Sequence, residues 1–578
     1  MSYNDERRLF NRKFIYIGCT LIFLSVVGGS ILAIYPFPSK EQVKYFHSEQ
    51  PIIYQKEVIE GEAIRLNNQN YVSLRFFMEY IDPTGFFDEQ SRSMIITTDD
   101  RVLQVPAKEL SIFINQEPLT FEIPVLTLNE QDYFISLELV EMIYALETNV
   151  VDETEALFIR EDGEEVQYAV VADSLKEHEA RLRIKETVTN PFTAEVINDE
   201  RVIVEHQNEE FVYVRKLNGV AGFIKRDHIT IDLERELIVV EVDGKGNTDL
   251  PIIDGPINLT WEAVYTETPS ASSLPELPGV NVVSPTWFKL KNGEGDISNL
   301  GSLEYMEWAR DRDFQVWGLF SNDFDPDLTN EALASFETRQ NMIRQLIYYS
   351  QLYGLDGINV DFENVYLKDK DLVTQFMREL TPYLHRAGLI VSMDITFISA
   401  SENWSMFYDR VALSSIVDYM IVMAYDEHWA TSPQSGSVAS LPWVEQNVMQ
   451  LLEEVPNEKL VLGIPFYARL WTEQTTDGGN VEVSSQALSM NEVQEWIRER
   501  GLTPTYDKTS GQHYVEFIDE SENATYKIWI EDEMSIEKRV SISQDYKLAG
   551  VASWARHFAI DAAWKHLDQV LHSKKSEK

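Results

Sequence analysis

The chain has 578 residues, which predicts three or four domains, and its 44% hydrophobic and 25% charged residues are ordinary for globular protein. The formal net charge of −46 argues against nucleic acid as a partner, because phosphates would be repelled, and it indicates a solvated acidic surface. The single cysteine, Cys19, excludes an intrachain disulfide, and ten scattered histidines without an HExxH motif argue against a metal or other cofactor.

The first predicted element is a membrane anchor within residues 1–36. Phe14–Tyr35 form a run of 22 residues without a charge, which is long enough to span a bilayer as a helix. Arg7, Arg8, Arg12 and Lys13 precede this run, so the positive-inside rule places the N-terminus in the cytoplasm and the rest of the chain outside, on the cell-wall side. A cleaved signal peptide is the alternative, but the run is long for one and has no clear A-x-A site.

A sequence repeat marks the second predicted domain, residues 37–165. The segment "YVSLRFFMEYI" begins at Tyr71 and "FISLELVEMIY" begins at Phe134, so that Ser73 and Ser136 correspond. Each copy is a strand, a short amphipathic helix and a further strand or hairpin, and two copies predict one α+β domain. The region resembles the copper amine oxidase N-terminal-like domain of bacterial surface proteins, although no histidine cluster for copper is present.

Short alternating strands with glycine-containing turns predict an all-β domain over residues 166–245. The runs "RVIVEH" and "FVYVRK" precede "GVAGFIKRDHI", in which Gly219 and Gly222 mark the last hairpin. The pattern resembles a bacterial SH3-like domain, and that resemblance implies binding to the cell wall. A simple spacer is the alternative.

Beyond an acidic linker, Glu241–Pro256, residues 246–578 alternate β-rich runs with amphipathic helical stretches. Eight strands with intervening helices predict a (β/α)₈ TIM barrel, an α/β fold. The predicted strands are Ile257–Tyr265, Val280–Trp287, Phe314–Phe320, Gly357–Glu363, Leu389–Thr396, Tyr419–Tyr425, Leu460–Pro465 and Gly550–Trp554. A helical stretch and a hairpin between about residues 472 and 534 predict a small α+β insertion after the seventh strand.

The fourth predicted strand carries polar residues at alternate positions. Asn359, Asp361 and Glu363 alternate with apolar residues, so the three polar side chains share one face. In a barrel one face of a strand looks inward and the other packs against helices, and active sites lie at the carboxyl ends of the strands. Buried carboxylates there predict an active site, whereas an acidic strand end that faces solvent is the alternative.

These residues resemble a known signature. "DGINVDFE", Asp356–Glu363, is similar to the DGxDxDxE motif of glycoside hydrolase family 18, which includes chitinases and cell-wall N-acetylglucosaminidases. "MAYD" at strand six, "GIPFYAR" at strand seven and "ASWA" at strand eight are further matches, and "VVSPTWF" fits strand two of the branch that processes bacterial wall and spore material. The resemblance covers about Ile257 to Leu571.

The resemblance implies a retaining, substrate-assisted mechanism, in which the 2-acetamido oxygen of the substrate attacks the anomeric carbon. Glu363 would be the general acid and base, Asp361 would orient the acetamido group, and Tyr425 would bind its oxygen. Four more residues are predicted to contact the substrate: Asn359, Met423, Asp426 and Trp554. Trp287, Trp317, Trp429 and Trp471 lie near strand ends and either line sugar subsites or belong to the core.

Two positions depart from the family pattern. Asn359 replaces the first aspartate of the DxDxE segment, and Phe362 stands where chitinases often have tryptophan. Asn359 removes one carboxylate but leaves an amide, which we expect to donate a hydrogen bond to Asp361. The acid itself, Glu363, is retained, so hydrolysis is still expected.

The sequence therefore predicts a membrane-anchored, extracellular retaining glycosidase that cleaves β-1,4 bonds in N-acetylglucosamine-containing glycans. Peptidoglycan or spore cortex is the favoured polymer, because the anchor and the SH3-like domain would hold the barrel beside the wall. A chitinase or chitooligosaccharide hydrolase is one alternative. A non-catalytic glycan-binding lectin on the same barrel is another, although such lectins commonly lose the acid.

Overall fold

The computed structural model describes residues 3–34, 37–241, 250–476 and 480–573. Over these residues the chain forms two compact units, and the predicted linker, Glu241–Pro256, falls partly outside the described residues. The first unit comprises Met1–Thr84, Ala107–Leu110 and Phe121–Gly244, and the second comprises Gly85–Pro106, Ser111–Thr120 and Lys245–Lys578.

The N-terminal segment is a helix, Tyr3–Ile34. Across the part of the chain that the structure describes, no helix meets the length and apolarity that crossing a membrane requires. The predicted anchor ends at Tyr35, which lies outside the described residues.

Two four-stranded sheets and two short helical segments form the repeat region of the first unit. The two repeat copies pair directly, since the strand Gln69–Ser73 runs antiparallel to Asp132–Ser136 with Val72 opposite Ile135. Ser73 and Ser136 each end a strand and precede a helix, Leu74–Phe76 and Leu137–Ile143, as the repeat predicts. The other strands of the two sheets are Ile52–Tyr54, Glu57–Ile59, Ala63–Leu66, Leu126–Asn129, Leu146–Val150 and Leu157–Glu161.

A seven-stranded sheet follows in the same unit, and all its strand pairs are antiparallel. Its strands are Glu165–Val171, Arg181–Arg183, Phe192–Glu195, Arg201–Gln207, Phe211–Lys216, Ala221–Lys225 and Ile229–Leu237. Gly222 is required by close packing, because a Cβ there would lie 2.8 Å from the backbone carbonyl carbon of Leu182. The predicted all-β character is confirmed, and the resemblance to SH3-like domains stays a prediction.

The residues that lie between the two repeat copies in the sequence form a five-stranded antiparallel sheet, which belongs to the second unit. Its strands are Phe86–Asp88, Ser93–Thr97, Val102–Pro106, Ser111–Ile114 and Glu117–Thr120. Ile95 and Val102 are fully buried in the same apolar core as the barrel helices, and Asp88 forms an ion pair with Arg339. The structure therefore differs from the predicted boundary at residues 37–165, because the apolar face of this sheet is covered by helices of the barrel.

Eight parallel strands close into a barrel, which confirms the predicted fold of this region. They are Ile257–Glu262, Val282–Pro285, Gln315–Ser321, Gly357–Asp361, Ile390–Ile395, Tyr419–Met423, Leu460–Pro465 and Gly550–Trp554, and the last pairs with the first. We number them one to eight. The surrounding helices are Leu303–Arg310, Pro326–Leu333, Phe336–Tyr353, Lys370–Arg386, Arg410–Ile416, Leu441–Leu451, Glu533–Asp545 and Asp561–His572. An extra hairpin, Phe288–Leu290 and Ile297–Asn299, follows strand two.

An α+β insertion lies between strands seven and eight, where it was predicted. Its strands are Tyr467–Thr475, Val481–Ser489, Thr505–Asp507, Gln512–Asp519 and Ala524–Ile530. The helix Met490–Glu499 begins at a capping box, in which Ser489 and Glu492 exchange hydrogen bonds, and it buries Val493 and Trp496 against the sheet. The sheet begins at Tyr467, a few residues before the predicted boundary.

The apolar side chains of the barrel form two cores, and those of strand four belong to the outer one. Ile358 and Val360 pack in the layer between strands and helices, whereas Trp261 and Trp317 belong to a separate cluster inside the barrel. Because strand side chains alternate, residues 359 and 361 point to the barrel interior. The polar face predicted from the sequence is therefore the inward face.

Candidate active site

Polar side chains converge at the carboxyl ends of strands four, five and six. Asn359 and Asp361 lie on strand four and Glu363 follows its end, while Asp394 lies near the end of strand five. Tyr425 comes two residues after strand six. Neighbouring strands are parallel, so their carboxyl ends meet on the same face of the barrel, where barrel enzymes place their active sites.

Asn359 is the centre of a buried hydrogen-bond network. Its Oδ1 accepts hydrogen bonds from Trp261 Nε1 at 3.0 Å and from Ser284 Oγ at 3.1 Å. Its Nδ2 donates to Asp394 Oδ1 at 2.8 Å, and Asn359 is completely buried. The prediction that this amide donates to Asp361 is therefore corrected. Strand five brings the carboxylate of Asp394 within hydrogen-bond distance, and the sequence analysis did not identify that residue.

Asp361 holds an unsatisfied carboxylate oxygen inside the barrel. The residue is 8% exposed, and its Oδ1 has no hydrogen-bond partner among the described residues. Burial raises the pKa of Asp361 to about 7. Buried polar atoms are nearly always paired, so an unpaired carboxylate oxygen at the carboxyl end of a barrel strand is available to a ligand.

Glu363 has the properties of a general acid. Its backbone is fixed by Asn322, whose Oδ1 accepts from Glu363 N at 3.0 Å and whose Nδ2 donates to Glu363 O at 2.7 Å. Desolvation, followed by the charges of Asp361 and Asp426, raises the pKa of Glu363 well above its ordinary value. A carboxyl group that stays protonated near neutral pH can deliver a proton to a leaving oxygen.

The end of strand six supplies Tyr425 and Asp426. Desolvation and then the Asp394 charge raise the pKa of Tyr425 well above its ordinary value, so its hydroxyl remains a hydrogen-bond donor. Asp426 adopts a left-handed backbone conformation with φ of 60°. Its Oδ1 accepts from Tyr467 Oη at 2.6 Å and from Arg469 Nη2 at 2.9 Å, so the insertion provides this carboxylate with a hydroxyl donor and a cation.

The predicted aromatic residues separate into two groups. Trp554 ends strand eight, is partly exposed, and its ring centroid lies 5.9 Å from that of Trp261, which donates to Asn359. Met423 ends strand six and is also partly exposed. Trp429 is 52% exposed and remains available to a ligand, whereas the other three candidate tryptophans are completely buried and belong to the core: Trp287, Trp317 and Trp471.

The sequence reading missed four residues that shape the site. Asp394 was signalled by alternation in strand five, where Ser392 and Asp394 are polar between apolar neighbours. Tyr408 Oη donates to Phe362 O at 2.8 Å, which fixes the backbone next to Glu363. Asn322 and Arg469 are the other two missed residues. Arg469 belongs to the motif "GIPFYAR", which the sequence analysis identified at strand seven, whereas Asn322 belongs to no identified motif.

Comparison with known proteins agrees with this geometry. Residues 288–559 match the family model described as glycosyl hydrolases family 18. The chain carries a family 18 glycoside hydrolase domain. It is 25% identical over 295 residues to the uncharacterized glycosylase YvbX of Bacillus subtilis, a match that covers 49% of this chain and 82% of the relative. The family 18 domain is thus a chitinase-like glycosidase on a (β/α)₈ barrel.

Two further matches have names that refer to the lysis of cortex. The cortical fragment-lytic enzyme of Bacillus subtilis is 24% identical over 252 residues, which cover 43% of this chain and 57% of that protein. The chain therefore spans little more than half the length of this relative. The crystal structure of the Bacillus megaterium spore cortex-lytic enzyme SleL superposes with a TM-score of 0.50 at 18% identity, covering 59% of this chain and 77% of that one. This likeness supports the fold.

Proposed function

We propose that the family 18 domain is a retaining glycosidase that hydrolyses β-1,4 bonds after N-acetylglucosamine by substrate-assisted catalysis. The observation that carries the proposal is the pairing of Glu363, whose pKa is raised well above its ordinary value, with the unpartnered carboxylate oxygen of Asp361. A protonated acid and a buried acceptor on one strand end are what this mechanism requires of the protein.

The reaction has two steps. In the first, the Glu363 carboxyl transfers its proton to the glycosidic oxygen while the acetamido oxygen of the substrate bonds to the anomeric carbon, so that the leaving sugar departs and an oxazolinium ion forms. In the second, the Glu363 carboxylate takes a proton from water, and the resulting hydroxyl adds to the anomeric carbon. The bond between the acetamido oxygen and the anomeric carbon breaks, which opens the oxazolinium ring and restores the acetamido group. Both steps invert the anomeric centre, so the product keeps the configuration of the substrate.

Asp361 and Tyr425 serve the acetamido group in this scheme. The free Oδ1 of Asp361 accepts from the acetamido N–H, which turns the oxygen towards the anomeric carbon, and the Asp361 charge stabilises the oxazolinium ion. The Tyr425 hydroxyl donates to the acetamido oxygen. Trp554 forms an apolar floor beneath the sugar, and Asp426 and Met423 complete the pocket around it.

Peptidoglycan or spore cortex is the polymer that we propose. The name of the cortical fragment-lytic enzyme supports this choice, as does the resemblance of residues 166–245 to SH3-like domains, which implies attachment to the cell wall. A location outside the membrane, with residues 14–35 as the anchor, rests on the charge-free run and on the basic residues before it.

Product analysis tests the proposal. Purified peptidoglycan, spore cortex and chitin oligomers are digested with the full chain and with Glu363→Gln, and the products are identified by mass spectrometry. We expect fragments with N-acetylglucosamine at the new reducing end from wall glycans and none from the variant. Cleavage of chitin oligomers alone would favour a chitinase, and glycan binding without any cleavage by the wild type would favour a lectin.

A further inference from the structure

Asp394 is a buried carboxyl that the proposed reaction does not use. It is 1% exposed and lies on strand five, next to the strand that carries Asp361. Its Oδ1 accepts the hydrogen bond from Asn359 Nδ2 at 2.8 Å. A buried carboxyl of this kind has no structural need for a charge, because an asparagine would accept the same hydrogen bond.

Among the residues that the structure describes, no cation contributes to the electrostatic surroundings of Asp394. Asp361 and Glu363 face it from strand four, Tyr425 from the end of strand six, and Tyr408 from the segment after strand five. Two of these neighbours are acids, and a second buried negative charge beside Asp361 is strongly unfavourable. Desolvation and then the Asp361 charge raise the pKa of Asp394 well above its ordinary value.

The hydrogen bond that Asp394 accepts indicates which of its two oxygens carries the proton. Oδ1 of Asp394 is occupied by the Asn359 donor, so a proton on this carboxyl belongs on the other oxygen, Oδ2. Across the same interior, Oδ1 of Asp361 lacks any partner among the described residues. A donor on one carboxyl and an unfilled acceptor on the neighbouring one are complementary, and the two lone pairs of that oxygen allow it to accept from Asp394 and from the acetamido N–H together.

We propose that Asp394 is a positioning residue that stays protonated and donates a hydrogen bond to the Asp361 carboxylate, with Asn359 holding its orientation. The proposal rests on the function proposed above, since Asp361 is the group that contacts substrate. The hydrogen bond favours the ionised form of Asp361 and fixes the direction of its carboxylate.

Two substitutions in the full chain separate this role from packing. Asp394→Ala removes the donor, so the pKa of Asp361 rises and the acid limb of kcat/KM moves to higher pH. We expect kcat/KM at neutral pH to fall about 10–100-fold, the range for one hydrogen bond to a charged group. Asp394→Asn keeps an acceptor for Asn359 and a donor for Asp361, and we expect it to retain the wild-type acid limb.

An unmoved acid limb in Asp394→Ala, or an equal shift in Asp394→Asn, would overturn the proposal. Glu276→Gln is the control, because Glu276 is 79% exposed and pairs with Arg312, which precedes strand three at the end of the barrel opposite to the site. Tryptophan fluorescence establishes that each variant is folded before its profile is measured.

Infrared spectroscopy gives a readout that needs no turnover. At pH 8, above the pKa of Asp361 at about 7, the wild type should show an absorption of a protonated carboxyl that Asp394→Asn lacks. Glu363→Gln removes the corresponding band of the acid and identifies it. Identical spectra for the wild type and Asp394→Asn would mean that Asp394 is ionised, which contradicts the proposal. A band difference without glycan cleavage would leave the proton on Asp394 and refute the proposed function instead.

Discussion

The ion-pair network that joins the sheet 86–120 to the barrel gives a quantitative stability prediction. Arg339 donates from Nε and Nη2 to Glu379 Oε1 at 3.0 and 2.8 Å, and from Nη2 to Asp88 Oδ2 at 3.2 Å. The side chains of Arg339 and Glu379 are 0% exposed and that of Asp88 is 1% exposed. Replacement of Arg339 by methionine keeps an unbranched apolar stem but leaves two buried carboxyls without their cation.

Removing one partner of a buried ion pair costs roughly 3–5 kcal/mol, because the remaining charge is desolvated without compensation. We therefore expect Arg339→Met to lower the free energy of unfolding of the second unit by about 3–5 kcal/mol at pH 7. Asp88→Asn should cost less, on the order of 1–3 kcal/mol, because the pair between Arg339 and Glu379 survives. Lys289→Met is the control, since its bond to Asp323 is solvent-exposed and such pairs contribute about 1 kcal/mol or less.

Tryptophan fluorescence during urea unfolding measures this directly. All 12 tryptophans lie in Lys245–Lys578, so the signal reports the second unit alone. In Arg339→Met the cation that lowers the pKa of Glu379 is gone, so the desolvation that raises this pKa acts without compensation and Glu379 takes up a proton in the folded state at a higher pH than in the unfolded state. The loss of stability should therefore shrink as the pH falls from 7 towards 4. A loss in Arg339→Met no larger than that in Lys289→Met would refute the reasoning.

Three further predictions concern the site. Asp361→Asn should unfold at a higher temperature than the wild type at pH 8 but not at pH 4. Burial raises the pKa of Asp361 from 3.8 to about 7, so ionisation of this residue destabilises the folded state as the pH rises between these two values. Calorimetry at pH 4 and pH 8 checks this prediction. A glycan without the N-acetyl group at the cleaved sugar should bind but not react, and a thiazoline mimic of the oxazolinium ion should inhibit; efficient hydrolysis of the deacetylated glycan would point to a direct nucleophile. Asn359→Asp should move the acid limb of kcat/KM to higher pH, because it adds a carboxyl beside Asp394 and Asp361, and an unmoved limb would show that residue 359 does not tune them.

The barrel could be predicted because its signals are local. Polar and apolar residues alternate in strand four, and four motifs occur in order at the strand ends, so all eight strands were placed close to their observed positions. The insertion was also predicted, since its amphipathic helix and its hairpin are each encoded in contiguous residues.

The remaining features depend on contacts that are distant in sequence. The sequence pattern assigns the sheet of residues 86–120 to the repeat domain. The position of this sheet depends on the contact between Asp88 and Arg339, which are 251 residues apart in the sequence. Likewise, the alternating polar residues Ser392 and Asp394 of a buried strand indicate a site only when strand four is known to lie beside them. The sequence position of Trp317 near a strand end is consistent with a residue that stacks on a sugar and with a residue of the core. Its complete burial in the structure assigns it to the core.

The central claim is that Glu363 is the acid of a glycosidase, and a comparison of turnover with binding tests it most directly. Glu363→Gln and the control Glu402→Gln, an exposed glutamate after strand five, are assayed on the glycan that the wild type cleaves, and affinity is measured by calorimetry. General acid catalysis contributes roughly 10²–10⁴-fold. We predict a loss of at least that size in kcat for Glu363→Gln, with glycan affinity nearly unchanged and Glu402→Gln equal to wild type. Turnover by Glu363→Gln at the wild-type rate would contradict the account.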